Sequence, residues 1–531
     1  MKMPRGSQVI NGVEYVYEYV SYWDAEKQYG SHKRNYIGKM VDDVFVPNKK
    51  HQLQLALEAE QKKTGPVPVQ ECSRLQGGAT YLLDAIDQKL KITEDLKACF
   101  PEKYRQIQSI AYYLILEHHN PLSRFPRWAS THHHPYGENI SSQRSSELFG
   151  CIDEAGKKAF FHRFGKRRTE TEYLVYDTTS ISSYSKLIKQ VKYGCNKDHD
   201  PLPQINLALL YGETSRLPVC YRMLPGNISD VTTIHKLLKD MDFLDIPKVK
   251  LVMDRGFYSK ANLNELYRKH HKFLIAAKKS LNLVKHPLEE VRLQMQSRSH
   301  YSSQHEIYYH SRTVDWDYEE TKPRSGKVVK SKKRMYLHLY YNPLRATDDR
   351  IRFNKLLDRL EEELLSDKRQ KDHESLYHKY FEIQKTPVRG IKLTPRQEAI
   401  DEVEKNYGYF SLISNDIKDP LEALSIYRAK AVIEQAYDNV KDRLGMRRTA
   451  VSSGKNLDGK LFVQFIALIY LAYIDKAMRE KNLYKTHTMQ EVLDELDIIE
   501  RYEHPGSRPH WGEVTKKQQE LYALLGVAPP R

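Results

Sequence analysis

The chain has 531 residues, with 85 Lys+Arg against 69 Asp+Glu and a net charge of +16 at pH 7. A hydrophobic content of 40% excludes a wholly disordered chain, and the length suits two to four domains of roughly 100–200 residues each. The positive surplus points to a polyanion, nucleic acid before an acidic membrane surface. Five scattered cysteines without a C-x-x-C pair speak against a disulfide framework or a zinc ribbon.

Residues 9–48 alternate apolar and polar positions around Val13, Tyr15, Tyr17 and Val20, which predicts a small β-rich start. Helical spacing follows over 79–118, through Leu82, Ile86, Leu90, Ile107, Ile110 and Leu114. The run His132-His133-His134 has metal-binding residue types, but consecutive histidines point different ways, and a solvated loop is expected. Residues 141–146, with serines at 141, 142, 145 and 146, begin a short helix. Its polar side chains could face phosphates, although a capped surface helix is the simpler reading.

Residues 172–280 read as one alternating α/β unit. Strands are expected at 173–177, 205–210, 219–223, 249–253 and 273–277. Helices are expected from Asn227 and from Ser259. Two of the strands end on carboxylates, Asp177 and Asp254. Residues 281–405 look inserted, with strands at 307–310 and 335–341 and a charged helix over about 346–367. Between those strands, residues 322–334 hold seven Lys/Arg and no acid, which suits a solvated basic loop and a phosphate-tracking loop equally. The apolar run 461–474 is shorter than the ~20 residues that span a bilayer and predicts a buried core helix. Residues 1–7 lack the apolar stretch of a secretory signal, so a soluble, cytoplasmic location is expected.

Residues 426–444 carry the densest chemistry. On a helical wheel at ~100° per residue, Tyr427, Lys430, Glu434, Tyr437 and Lys441 fall within an arc of about 80°, beside an apolar stripe of Val432, Ile433, Ala436 and Val440. Taken alone, that column is most simply a solvated face supported by Lys–Glu pairs. Asp177 and Asp254 change the reading. Two strand carboxylates and a helix glutamate form an oxygen-only set that suits a pair of divalent cations in phosphoryl transfer. Tyr427, Lys430 and Lys441 beside them suit phosphate oxygens. The acids lie far apart in sequence, so only a fold can unite them.

In these residues the chain resembles the DDE transposases of bacterial insertion sequences, the group marked by a Tyr-x2-Arg-x3-Glu-x6-Lys signature. The signature reads here as Tyr427, Lys430, Glu434 and Lys441, with every spacing kept. The resemblance also rests on Tyr176-Asp177-Thr178-Thr179-Ser180, Tyr193-Gly194, Pro203-Gln204-Ile205-Asn206, Pro225-Gly226-Asn227 with Asp230, and Asp254-Arg255-Gly256-Phe257-Tyr258. It spans about residues 10–475, including Tyr19 to Trp23 and Ile37-Gly38-Lys39.

The resemblance implies an α/β fold: an RNase H-like mixed sheet flanked by helices, interrupted by a β-containing insertion, with a separate N-terminal β/α region. The implied division is a DNA-end-binding region at 1–165, a first catalytic part with both aspartates at 166–280, the insertion at 281–405, a second catalytic part with the glutamate helix at 406–480, and a C-terminal tail at 481–531. It further implies that Asp177, Asp254 and Glu434 are catalytic and bind two Mg²⁺ ions, with Mn²⁺ a substitute, and that Tyr427, Lys430 and Lys441 bind DNA phosphates. The implied activity is a metal-dependent endonuclease and strand transferase that cuts at the element's ends and joins the freed 3′-hydroxyls to target DNA. Family members commonly release the second strand through a DNA hairpin.

The implied partner is double-stranded DNA, both terminal inverted repeats and target, bound by a homodimer whose contact could involve the helices after Leu461. One departure from the signature stands out. Lys430 occupies the arginine position, and an ammonium cannot reproduce a bidentate guanidinium fork. Arg428 points about 160° away on the wheel and is a poor substitute. Two competing readings remain, a recruited or decayed relative that binds DNA without transposing it, and a host nuclease that cuts without joining.

Overall fold

The computed structural model describes all residues except 1–3, 25–28, 43, 62–71, 119, 168–171, 199, 244–248, 322–327, 387–389, 450 and 452. The chain divides into two units: residues 1–73 with 503–508, and residues 74–502 with 509–531.

The smaller unit is a four-stranded antiparallel meander. Its strands Arg5–Ile10, Val13–Asp24, Tyr29–Val41 and Val44–Pro47 pair in sequence order, and the helix Lys49–Gln61 follows. The first two strands are joined by Asn11-Gly12, both at positive φ, the pair that a tight hairpin turn requires. Aromatic side chains give the sheet its packing. Tyr17 lies edge-on to Tyr36, with the Arg34 guanidinium over its ring.

The larger unit is built on a ten-stranded mixed sheet. We label its principal strands β1 (Leu174–Ser183), β2 (Gln204–Gly212), β3 (Pro218–Pro225), β4 (Lys250–Met253), β5 (Lys272–Ala277), β6 (Ile307–Thr321), β7 (Val328–Tyr341) and β8 (Tyr409–Ser414). Their spatial order is β6-β7-β8-β5-β4-β1-β2-β3. The pairs β1–β4 and β4–β5 are parallel, whereas β1–β2, β2–β3 and β5–β8 are antiparallel. Every residue of β2 is buried, as expected for a strand covered on both faces. The five expected strands of the α/β unit and the helices Asp230–Phe243 and Lys260–Arg268 thus occur in the expected order.

Four features differ from the sequence reading. First, the helices Gly78–Leu90, Tyr104–Leu116 and Ser142–Cys151, placed above with the N-terminal region, share one hydrophobic core with the sheet and belong to the larger unit. Second, the first hairpin of the insertion is not separate. β7 pairs with β8 along six residues and so extends the central sheet. Among the described residues, 343–386 and 390–407 form a distinct patch, with its own small core of Phe353, Leu360, Leu364, Tyr377 and Tyr380.

Third, the basic stretch expected as a loop lies partly in strand. Residues 328–334 are in β7, where Asp315, Asp317 and Glu319 of β6 stand opposite Arg334, Lys332 and Lys330; residues 322–327 lie outside the described residues. Cross-strand charge pairing stabilises such a strand despite its polarity. Fourth, residues 481–531 are no loose tail. Tyr522 is buried and donates to the Gly78 carbonyl at 2.8 Å.

The helix Gly454–Glu480 has the length and composition to cross a membrane. In the fold it is the central core helix, with Leu461 to Ala472 all buried. These residues face the protein's own interior, which leaves them unavailable to the dimer contact considered above.

Candidate active site

Asp177 sits within β1 rather than at its end, because the strand continues through Thr178 to Ser183. The parallel register of β1 and β4 pairs Leu174 with Leu251, Val175 with Val252 and Tyr176 with Met253. Asp177, still within β1, and Asp254, just past the end of β4, are the next residues along the two segments. Two carboxylates 77 positions apart therefore emerge side by side, on strands separated by about 4.8 Å. β4 ends at Met253 because Asp254 caps the following turn, its Oδ1 accepting from the Arg255 N–H at 2.7 Å.

The segment carrying Glu434 is not one continuous helix. It runs as Pro420–Arg428, tightens at Ala429 and Lys430, resumes as Ala431–Asp438, and widens into a π-turn over Asn439–Arg443. At the tightening, Lys430 N–H donates to Tyr427, Val432 to Ala429 and Ile433 to Lys430, all with i→i−3 spacing. In the π-turn, Leu444 N–H reaches back to Asn439. Both irregularities turn the column of polar side chains off the single arc of an ideal wheel and toward the sheet. Helix irregularities of this kind mark positions where side chains must be re-aimed.

Four side chains of the column then meet Asp254, the Asp177 backbone or the β1–β2 connection, while Glu434 lies beside Lys430. Tyr427 Oη donates to Asp254 Oδ1 at 3.0 Å, and Lys430 Nζ donates to Asp254 Oδ2 at 3.1 Å. Lys430 Nζ also lies 3.7 Å from Glu434 Oε1. Tyr437 Oη donates to the Asp177 carbonyl at 2.5 Å. Lys441 Nζ, in the π-turn, donates to both oxygens of Asp198 at 2.6 Å. The Lys430 side chain is only 11% exposed, whereas Glu434 is 64% exposed. Arg428 is exposed, and its guanidinium contacts the His305 carbonyl instead, as its place on the wheel predicts.

Electrostatics tie the three acids together. Burial disfavours the Lys430 ammonium, but attraction to Asp254, then Asp177 and Glu434, outweighs it and holds its pKa above the ordinary lysine value. Burial likewise works against the Asp254 carboxylate. Lys430, the Arg255 N–H and the Tyr427 hydroxyl together hold its pKa below the usual carboxylate range. In turn, desolvation and Asp254 push the Tyr427 phenol above its normal value. Lys430 is thus paired with Asp254 and Glu434 and attracted by Asp177, whose own ion pair is with Lys197. Among the described residues, no three His, Cys, Asp or Glu side chains converge as a metal-binding group.

Two participants were not anticipated. Lys197 lies 3.6 Å from Asp177 Oδ1 and donates to the Thr178 carbonyl at 2.5 Å and hydroxyl at 2.9 Å. Asp198 holds Lys441. Both lie in the β1–β2 connection, which has no periodicity to mark them. The nearby motif residues buttress that connection. Gln204 Nε2 donates to the carbonyls of Cys195 and Gly226, and Asn206 Nδ2 donates to the Ile228 carbonyl. Gly226 is required there, because a Cβ would lie 2.0 Å from the Gln204 carbonyl oxygen.

The histidine run is a further correction. His132 and His134 are buried rather than solvated. His132 Nε2 pairs with Asp497 at 2.9 Å, and the His134 ring bonds Ser109 at 3.0 Å. Burial brings His133 and His134 down to about 4. This is a buried network in which His132 stacks on Trp128 and His134 lies tilted against it.

A family described as transposase DDE domain matches residues 168–470, a span that includes Asp177, Asp254 and Glu434. No curated protein matches the chain. Among solved structures, a chain of the piggyBac transposase synaptic complex with hairpin DNA aligns with 10% identity and a TM-score of 0.32. The alignment covers 67% of this chain and 57% of that one.

Proposed function

The chain belongs to the transposase DDE domain family, and from that premise we propose that it is a DNA transposase of a bacterial insertion sequence. In this reading it cuts at the element's terminal inverted repeats and joins the 3′-hydroxyl ends to target DNA. Asp177, Asp254 and Glu434 are the catalytic carboxylates. The observation that carries the proposal is the placement of Asp177 and Asp254 at equivalent points of adjacent parallel strands, with Lys430 as an ammonium common to both and to Glu434. The strand order β3-β2-β1-β4-β5, with β2 antiparallel, supports the RNase H-like core that the family resemblance implies.

The donor type suits hard divalent cations, because all three side chains offer oxygen; Lys430 now holds Asp254, so binding a cation requires that ammonium to give way and the three acids to close together. Asp177, Asp254 and Glu434 would hold Mg²⁺ or Mn²⁺, which when bound supplies Lewis-acid activation and neutralises charge at phosphorus. The chain's own residues prepare the site. Tyr427 and Lys430 orient the Asp254 carboxylate and keep it anionic, while Tyr437 anchors the backbone at Asp177. In the first reaction a water oxygen bonds to phosphorus and the 3′-oxygen leaves as a hydroxyl. In the second that hydroxyl attacks a target phosphodiester, and a target 3′-oxygen leaves. A homodimer holding two element ends is the assembly this reaction needs, and the bacterial cytoplasm is the proposed setting.

The test is cleavage and strand transfer on DNA carrying the ends of the chain's own element, with Mg²⁺ or Mn²⁺. Asp177→Ala, Asp254→Ala and Glu434→Ala are each expected to lose both activities by at least a hundredfold. Wild-type-like cutting by any of them would refute the assignment. The binding-only reading draws on Lys430, whose ammonium already engages Asp254 and Glu434. It predicts a shifted but uncut substrate under every metal condition.

A further inference from the structure

A cavity of about 410 Å³ lies away from the three acids, between the first turn of the helix Ser142–Cys151, the 120–123 segment and the end of the π-turn. Its polar lining includes Lys460, Arg443, Ser142 and Ser146, with Glu117 as an acid on its wall. Lys460 comes from the core helix Gly454–Glu480. Burial alone acts on its ammonium and lowers its pKa; no carboxylate among the described residues offsets it. The buried Arg443 Nε–H has no hydrogen-bond partner among the described residues, while its terminal nitrogen donates to Gln490 Oε1 at 2.8 Å. Glu117 is engaged by the Asn120 side-chain amide at 2.5 Å.

Lys460 is partly buried with no carboxylate to offset it, and Arg443, partly buried beside Asp494, leaves its Nε–H unpaired; an anion in the cavity would satisfy both. Ser142 opens the helix and Ser146 lies one turn on; Ser141 caps the Arg144 N–H, and the dipole with the remaining first-turn N–H groups favours an anion. Ser146 now returns its hydroxyl to the Ser142 carbonyl at 3.3 Å, a weak local bond that a phosphate oxygen can replace. Leu122, Phe149 and Leu444 give the cavity an apolar side.

We propose that this cavity is a second phosphate site, at which Lys460, Arg443 and the serines of the helix Ser142–Cys151 grip one phosphate group of a bound DNA strand. The proposal rests on the DNA-binding reading above for its ligand, and on the cavity itself for its chemistry. Arg443 follows Lys441 by two residues in the same π-turn, so a strand held here is tied mechanically to the Glu434 segment.

The test uses the full chain and fluorescein-labelled duplex DNA in a sodium chloride series. Lys460→Met should weaken binding about tenfold at low salt and reduce the log–log salt slope by about 1. Its melting temperature should rise slightly, because a partly buried charge without a carboxylate partner is removed; a lysine with only a structural role would lower it. Lys460→Arg should restore the slope. A Ser142→Ala/Ser146→Ala variant gives the same reading at the helix N-terminus, should Lys460→Met fold poorly.

Inorganic phosphate, added alone, distinguishes the source. If wild type binds no DNA yet is stabilised by phosphate only when Lys460 is present, the anion site stands, the DNA reading fails, and free phosphate is the ligand. If wild type binds DNA and both Lys460→Met and the serine variant match it in affinity and slope, the second site is overturned while the transposase reading survives.

Discussion

Lys430 Nζ stands 3.1 Å from Asp254 Oδ2, at the point where the Glu434 segment tightens into i→i−3 hydrogen bonds. The tightening and the ion pair belong together: the break in the helix delivers the ammonium to the strand carboxylate. Lys430→Met should therefore lower stability by about 1 kcal/mol, a value reduced by solvent access to Asp254, and should abolish strand transfer. Lys430→Arg should keep the fold and retain or raise activity, because the guanidinium fork can serve Asp254 and a phosphate together. Unfolding curves and a strand-transfer assay measure both. An inactive but fully stable Arg variant would show that lysine is specifically required.

Tyr437 is the tether between helix and first strand. Tyr437→Phe keeps the ring and removes only the hydroxyl that donates to the Asp177 carbonyl. The expected cost is about 1 kcal/mol of stability, with cleavage falling more than DNA binding, since the hydroxyl positions Asp177 and touches no phosphate. Equal losses in the two assays would contradict that role.

Asp198 neutralises Lys441 through two 2.6 Å contacts. Asp198→Asn should release that charge and steepen the log–log salt dependence of DNA binding by about 1. Binding isotherms at several salt concentrations provide the measurement. An unchanged slope would mean that Lys441 serves only the β1–β2 connection.

Asp84 offers a pH test in the core. Burial raises its carboxyl to about 6, against the opposing effect of the Tyr112 hydroxyl, which donates to it at 2.8 Å. A folded-state value above the unfolded one near 3.8 means that the native state binds more protons between these values. Stability contributed by this group therefore falls as pH rises from about 4 to 6 and stays lost above. Asp84→Asn should stabilise the fold at pH 8 by on the order of 3 kcal/mol and raise its melting temperature accordingly. The gain should vanish near pH 4. Thermal melts of both proteins across pH 4–8 decide the matter.

The strand run from Tyr173 to Ala277, the capped helices between its later strands, and the residue types at 177, 254, 427, 430, 434 and 441 were legible from the sequence. Alternation, helical spacing and caps are local properties, and each is written in a few adjacent residues. The basic stretch at 322–334 was misread in part because its apolar content is low. Its strand character comes from the acids opposite it on β6, which a local pattern does not contain.

Tertiary structure alone decided how the pieces meet. The register that sets Asp177 beside Asp254 is a pairing of residues 77 apart. The kink and π-turn that redirect Lys430 and Lys441 are departures from the regular wheel, so the wheel could not foretell them. Lys197 and Asp198 gain their roles from a connection held in place by Gln204, Asn206 and Gly226. The +16 charge named a polyanion from the sequence by itself. Only the fold decided which cations face the three acids, which are tied to a carboxylate, and which, like Lys460, are partly buried with no carboxylate to offset them. The physical reason is common to all these cases: chemistry at a site depends on distance and desolvation between groups that the chain does not place near one another.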